Sequence, residues 1–232
     1  MPLAFTALAA ATASTTNAAT YAGTAGTPVA GDLLICFVMA SGNTAGTMSG
    51  TFTWTRLTSF TKNTGADTIY IFWAYAATAT STTPTFNSSS GNCTGCIISC
   101  VRVTGGEGVR QPYLRQISPP TTSAVVNPVV TFNAAPLTGN GCLAFATNGV
   151  NSATQWTAPT SWTELHEVAY GTPANSGQTC YRVSGETSSA LTWTNANTGS
   201  PSGLIALEFY NAGTGPTPDD TISGFFGNIS SI

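Results

Sequence analysis

Trp54-Thr55-Arg56-Leu57 occurs a second time as Trp162-Thr163-Glu164-Leu165, 108 positions further on (162 − 54 = 108). The surroundings line up at the same offset: Pro28 with Pro136, Gly31 with Gly139, Phe37 with Phe145 and Trp73 with Tyr181. Later the offset becomes 107 (193 − 86 = 107), with Phe86 on Trp193 and Ile98 on Ile205. This is the pattern of a tandem internal duplication with one deletion. It predicts a unit over 1–212 made of two pseudo-repeats, 1–108 and 109–212, followed by a linker and arm over 213–232.

Within the repeats the periodicity is that of strands. Asp32 to Ala40 is an unbroken apolar run, so both of its faces are expected to be covered. Thr51 to Phe60 alternates, with Phe52, Trp54 and Phe60 on one face. Ser41 to Gly50 reads as a loop and Lys62 to Gly65 as a turn. Thr68 to Ala77, Thr83 to Ser88 and Gly95 to Thr104 complete the first half, and Val125 to Asn211 repeats the order. No stretch before 213 sustains a helical period. The fold class expected is all-β, a jelly-roll-like β-sandwich built from the two pseudo-repeats plus a C-terminal arm. Either each half is its own sandwich, or the halves interleave into one with pseudo-twofold symmetry. The connection 105–120 carries Tyr113, Leu114 and Ile117, side chains that pack, and this favours interleaving.

Charged residues make only 6% of the chain, against about 25% in an average globular protein. Hydrophobic residues make 42%, so the composition is that of a folded chain. Six Lys and Arg, at a net charge of −3, form no basic patch, and no nucleic-acid partner is expected. No apolar run approaches the ~20 residues that cross a bilayer as a helix, so no membrane partner is expected either. Met1 to Ala10 lacks the basic start of a signal peptide. A weakly charged surface suits a protein packed against copies of itself.

Several residues could carry chemistry. Cys93-x-x-Cys96-x-x-x-Cys100 has the look of a metal or redox site. In the other repeat, however, cysteines trade places with small and apolar residues, as buried filler does. Free thiols are the main expectation, with a disulfide such as Cys93–Cys96 as the alternative. No metal and no cofactor is expected. His166 is the only histidine and falls on the same strand face as Glu164, whereas Glu164 and Glu167, three apart, fall on opposite faces. A catalytic pair is conceivable there, but a solvated polar face is the plainer reading, and no enzyme is expected. Trp162 and Trp193 match core positions of the other repeat. Trp156, beside Pro159 in a loop, is the candidate ligand contact. In the arm, Ile222, Phe225, Phe226, Ile229 and Ile232 follow a helical stripe behind Asp220 as N-cap, a candidate partner-binding surface.

Gly31-Asp32-Leu33-Leu34-Ile35-Cys36-Phe37-Val38, Ile69-Tyr70-Ile71-Phe72-Trp73, the two Trp-Thr-x-Leu stretches and Gly203-Leu204-Ile205-Ala206-Leu207-Glu208-Phe209 resemble a loose group of phage and bacterial β-sandwich proteins. The resemblance covers about 25–212 and rests mostly on core positions. It implies a non-enzymatic virion structural protein that decorates or cements a capsid or tail. Its partners would be copies of itself and other virion proteins such as the major capsid protein, and its location the virion. The alternative is a carbohydrate-binding or adhesion module on a virion or cell surface.

Overall fold

The computed structural model describes residues 2–42, 45–63, 67–105, 114–195 and 200–211. The chain is all-β. The first half contributes β1 (Ala4–Ala7), β2 (Thr12–Ser14), β3 (Thr20–Ala22), β4 (Leu33–Ser41), β5 (Gly46–Ser49), β6 (Thr55–Asn63), β7 (Asp67–Tyr75), β8 (Thr85–Ser88) and β9 (Gly95–Thr104). The second contributes β10 (Leu114–Ile117), β11 (Thr121–Ser123), β12 (Val129–Thr131), β13 (Gly141–Asn148), β14 (Trp156–Thr157), β15 (Thr163–Tyr170), β16 (Asn175–Arg182), β17 (Ala190–Thr192), β18 (Thr194–Asn195) and β19 (Ser202–Phe209).

Each half builds one large antiparallel sheet, and the two have the same order. The first is β1-β9-β4-β7-β6 with β2 also on β9, and the second is β10-β19-β13-β16-β15 with β11 also on β19. Small sheets cover their outer faces, β3-β8-β5 in the first half and β12-β17 with β14-β18 in the second. Among the described residues no strand crosses into a sheet of the other half. The interleaved arrangement is therefore not adopted, and the halves meet face to face through their large sheets. Tyr113, whose apolar ring helped to favour interleaving, lies outside the described residues, as does the arm with Ile222, Phe225, Phe226, Ile229 and Ile232.

The period of two explains the layering. Along β4 the odd positions Leu33, Ile35, Phe37 and Met39 join a core shared by both halves. The even positions Leu34, Cys36, Val38 and Ala40 face the small sheet of their own half, where Tyr21, Met48 and Phe86 complete a second core. On β13, Leu143 and Phe145 face the shared core, while Cys142, Ala144 and Ala146 meet Val130, Trp156, Leu191 and Trp193 in a third. Four layers thus enclose three cores. Phe37 and Phe145, 108 apart, stack on each other with ring centroids 5.2 Å apart and planes 8° from parallel. The two rings hold matching places in the two sheet orders and meet in the core shared by both halves.

The structure corrects the sequence comparison in three places. Leu33 pairs with Val103 and Gly141 with Phe209, so β9 and β19 correspond at an offset of 106 (209 − 103 = 106), not 107. Both strands are apolar on both faces, so a slip of one residue still matches apolar to apolar. Second, β5 and β14 are short strands where loops were expected, and β10 and β11 lie in or just past the supposed connection. Third, Cys36 and Cys100, directly opposed on β4 and β9, form a disulfide, leaving Cys93, Cys96, Cys142 and Cys180 free and buried. The opposed pair at the corresponding place in the second half is Ala144 and Ala206.

Candidate functional site

The Trp-Thr-x-Leu repeat determines which side chains reach which core. In both copies the strand carries a β-bulge at the leucine: Arg56 pairs with Phe72 and Thr58 with Ile71, while Glu164 pairs with Cys180 and His166 with Thr179. The extra residue resets the alternation. Glu164 and His166 therefore end on opposite faces, and Glu164 and Glu167 on the same one, the reverse of simple alternation. No acid/base pair forms between Glu164 and His166.

The two glutamates converge instead on Gln178. Its Nε2 donates to Glu164 Oε2 at 2.9 Å and reaches Glu167 Oε2 at 3.5 Å, and its Oε1 accepts from the Trp193 indole at 3.2 Å. Glu167 Oε1 accepts from the amides of Gln155 and Trp156 at 2.9 and 3.1 Å. Burial raises the Glu167 pKa, opposed by those two amides. Trp156 is only 4% exposed, and its Nε1 donates to Ser176 Oγ at 3.1 Å. It is a core residue of β14, so it offers no platform for a ligand. Its match to Met48, itself buried on β5, was the signal for this in the sequence.

Among the described residues, two networks of polar side chains cross the apolar contact between the large sheets. In one, Ser99 Oγ of β9 lies 2.9 Å from His166 Nδ1 and 2.7 Å from Thr179 Oγ1. Burial lowers the His166 pKa, with the nearby Ala9 backbone acting the other way, so the ring is neutral at neutral pH. The serine, 1% exposed, sits on a central strand under the opposing sheet, and the chain of hydroxyls and imidazole ties β9 to β15 and β16.

The other system is richer chemically. Lys62 is the only lysine of the sequence, and its side chain has no exposure at all. It lies near the end of strand β6 rather than in a turn. Its Nζ is 3.3 Å from Asp67 Oδ2 and 2.5 Å from Asn175 Oδ1. Ser41 Oγ donates to Asp67 Oδ1 at 2.5 Å, and Asn175 Nδ2 donates to Ser41 Oγ at 3.0 Å and to the Tyr170 hydroxyl at 3.3 Å. Two hairpins bring these groups together, since Asn63 pairs with Asp67 and Tyr170 with Asn175 at their ends. The sets are counterparts: Lys62 matches Tyr170 (170 − 62 = 108) and Asp67 matches Asn175 (175 − 67 = 108).

Glycines make the room. A Cβ on Gly95 would stand 2.4 Å from the Tyr170 ring, and one on Gly203 would stand 2.8 Å from Ile69 Cδ1 and 3.2 Å from Lys62 Cγ. Burial lowers the Lys62 pKa, with Asp67 pulling the other way. Burial raises the Tyr170 pKa, so its phenol stays protonated and is available to the network. An amine, a carboxylate, two hydroxyls and a carboxamide thus share one dry cluster. None of the five was singled out from the sequence, because burial of a lysine has no local signature.

Among the described residues no group of three His, Cys, Asp or Glu could hold an ion, and burial raises the pKa of all four free thiols. Among those residues, too, no helix is long and apolar enough to cross a membrane. The fold and its contents define an all-β protein of two sandwiches stacked through their large sheets. No family model, no curated protein and no solved structure matches the chain.

Proposed function

We propose that the chain is a non-enzymatic structural protein of a phage virion, decorating or cementing a capsid or tail by packing against copies of itself and neighbouring virion proteins. The observation that carries this reading is the surface. Only 6% of residues are charged, and aliphatic side chains stand out among Thr, Ser and Asn, with Val29 and Val125 each 57% exposed and Leu137 and Val183 close to half exposed. Such a surface opposes close packing with little charge repulsion. Two further observations support it. Glu164, Glu167 and His166, the candidates for catalysis, are all held in hydrogen bonds to neighbouring segments of the chain. The Cys36–Cys100 disulfide suits a particle that persists outside the cell.

The test is fractionation of purified particles. The protein is expected at a fixed copy number per particle, and recombinant chain is expected to bind stripped particles. Recovery only as a free monomer, absent from particles, overturns the reading.

A further inference from the structure

We infer that Lys62, Asp67 and Asn175 form an autocatalytic transamidation site, in which the lysine amine displaces ammonia from the asparagine carboxamide and joins the two halves by an isopeptide bond. The geometry is that of the reactants. Nζ of Lys62 donates to Asn175 Oδ1 at 2.5 Å, which places it beside the carboxamide, and Asp67 Oδ2 is 3.3 Å from the same nitrogen. The nucleophile must be an uncharged amine, and a fully buried lysine has a lowered pKa that favours that form.

The step balances without a co-reactant. The Nζ lone pair attacks Cγ of Asn175 while Asp67 Oδ2 takes a proton from Nζ. The carbon becomes tetrahedral, and Nδ2 regains a lone pair. Asp67 Oδ1 is bonded to Ser41 Oγ at 2.5 Å, and Ser41 Oγ lies 3.0 Å from Nδ2, so a proton has a route from the carboxylate through the hydroxyl to the departing nitrogen. The Cγ–Nδ2 bond then breaks and ammonia leaves. The Nζ–Cγ amide remains, and Asp67 is again a carboxylate. Tyr170, holding Nδ2 at 3.3 Å, is a positioning residue.

Two features of the molecule agree with this chemistry. A lysine retained in the dry interior is costly to keep charged, and amide formation removes that charge together with its need for a counterion. The two residues lie 113 apart in sequence and on opposite halves, so the bond clamps together two large sheets that share no strand pairing among the described residues. The inference does not depend on the virion reading.

The experiment is intact mass of the full folded chain after disulfide reduction and incubation at mildly alkaline pH. The chain is expected to be lighter than its sequence by one ammonia, and digestion is expected to release a branched peptide containing Lys62 and Asn175. As Lys62 is the only lysine, an amine-reactive reagent in denaturant should label the α-amine alone. Asp67→Asn should remain at full mass with an unchanged far-UV circular dichroism spectrum, and Asn175→Asp should lose water instead of ammonia. A folded chain at full mass, with Lys62 labelled in denaturant, overturns the inference. So does an ammonia loss that persists in Lys62→Arg, since that would be asparagine cyclisation unaided by the lysine.

Discussion

The two halves share a strand order but not their fastenings. At matched places in the large sheets, the first half has the Cys36–Cys100 disulfide and the second the opposed alanines Ala144 and Ala206. Below them, the first half pairs Arg102 with Asp32, Nε to Oδ2 at 2.6 Å. At the counterpart positions the second half has Glu208 and Asn140. There the carboxylate, with no exposure, accepts from the Leu137 amide at 2.9 Å, the Asn140 side chain at 2.7 Å, Arg115 and Gln116. At these matched places the first half has a covalent bond and an ion pair, and the second a carboxylate gathering four donors. The contrast teaches that the backbone arrangement tolerates different chemistry in its outer cores. Where the halves meet, by contrast, both must satisfy one shared environment.

The largest effect is expected in that shared core. Phe37→Ala and Phe145→Ala each remove a ring from the central stack, and each should cost about 3–5 kcal/mol in chemical denaturation. If the two halves share this contact equally, the two losses agree within experimental error. A large inequality would show that one half carries the contact.

Next comes the disulfide. Cys36→Ala combined with Cys100→Ala gives the first half the alanine pair of the second. Loss of a cross-link between residues 64 apart should lower stability by about 2–4 kcal/mol, while Cys142→Ala in the second half should cost less. Equal losses would mean that the disulfide adds little beyond packing.

A smaller change is expected from Asp32→Asn, which places the second half's Asn140 amide in the first half. It weakens the bond to a partly exposed Arg102 and should cost about 1 kcal/mol, read as a shift in denaturation midpoint.

The smallest is a pH effect at the His166 chain. The folded pKa lies below the unfolded value of about 6.5, so the unfolded chain binds a proton first as pH falls. The contribution of the neutral ring is complete above that value, declines as pH drops below it, and levels off once the folded ring also titrates. The groups facing this ring are Ser99, Thr179 and the Ala9 backbone, none of which titrates in this range. His166→Thr copies Thr58 of the first half and should flatten that part of the stability–pH curve. A wild-type curve already flat between mildly acidic and neutral pH would contradict this placement.

How much of this could be read in the sequence is clear from the two Trp-Thr-x-Leu stretches. Their recurrence located corresponding strands, and Trp54 and Trp162 do pack into outer cores. What the leucine does could not be read. It is the extra residue of a bulge, and a bulge exists only relative to the partner strand. Simple alternation misplaces the faces of Glu164, His166 and Glu167 for that reason, and Trp156 reads as a loop residue because two residues are too few to show a period.

The all-β class, most of the long strands and a pattern repeated twice are legible in the chain alone, because alternation and recurrence are local properties. The offset of 106 at which β9 corresponds to β19, the pairing of Cys36 with Cys100, the stacking of the halves and the burial of Lys62 against Asn175 come from the folded arrangement alone. Each of these depends on which distant segment lies opposite. A strand apolar on both faces, or a lysine between polar neighbours, reads the same whichever partner it meets.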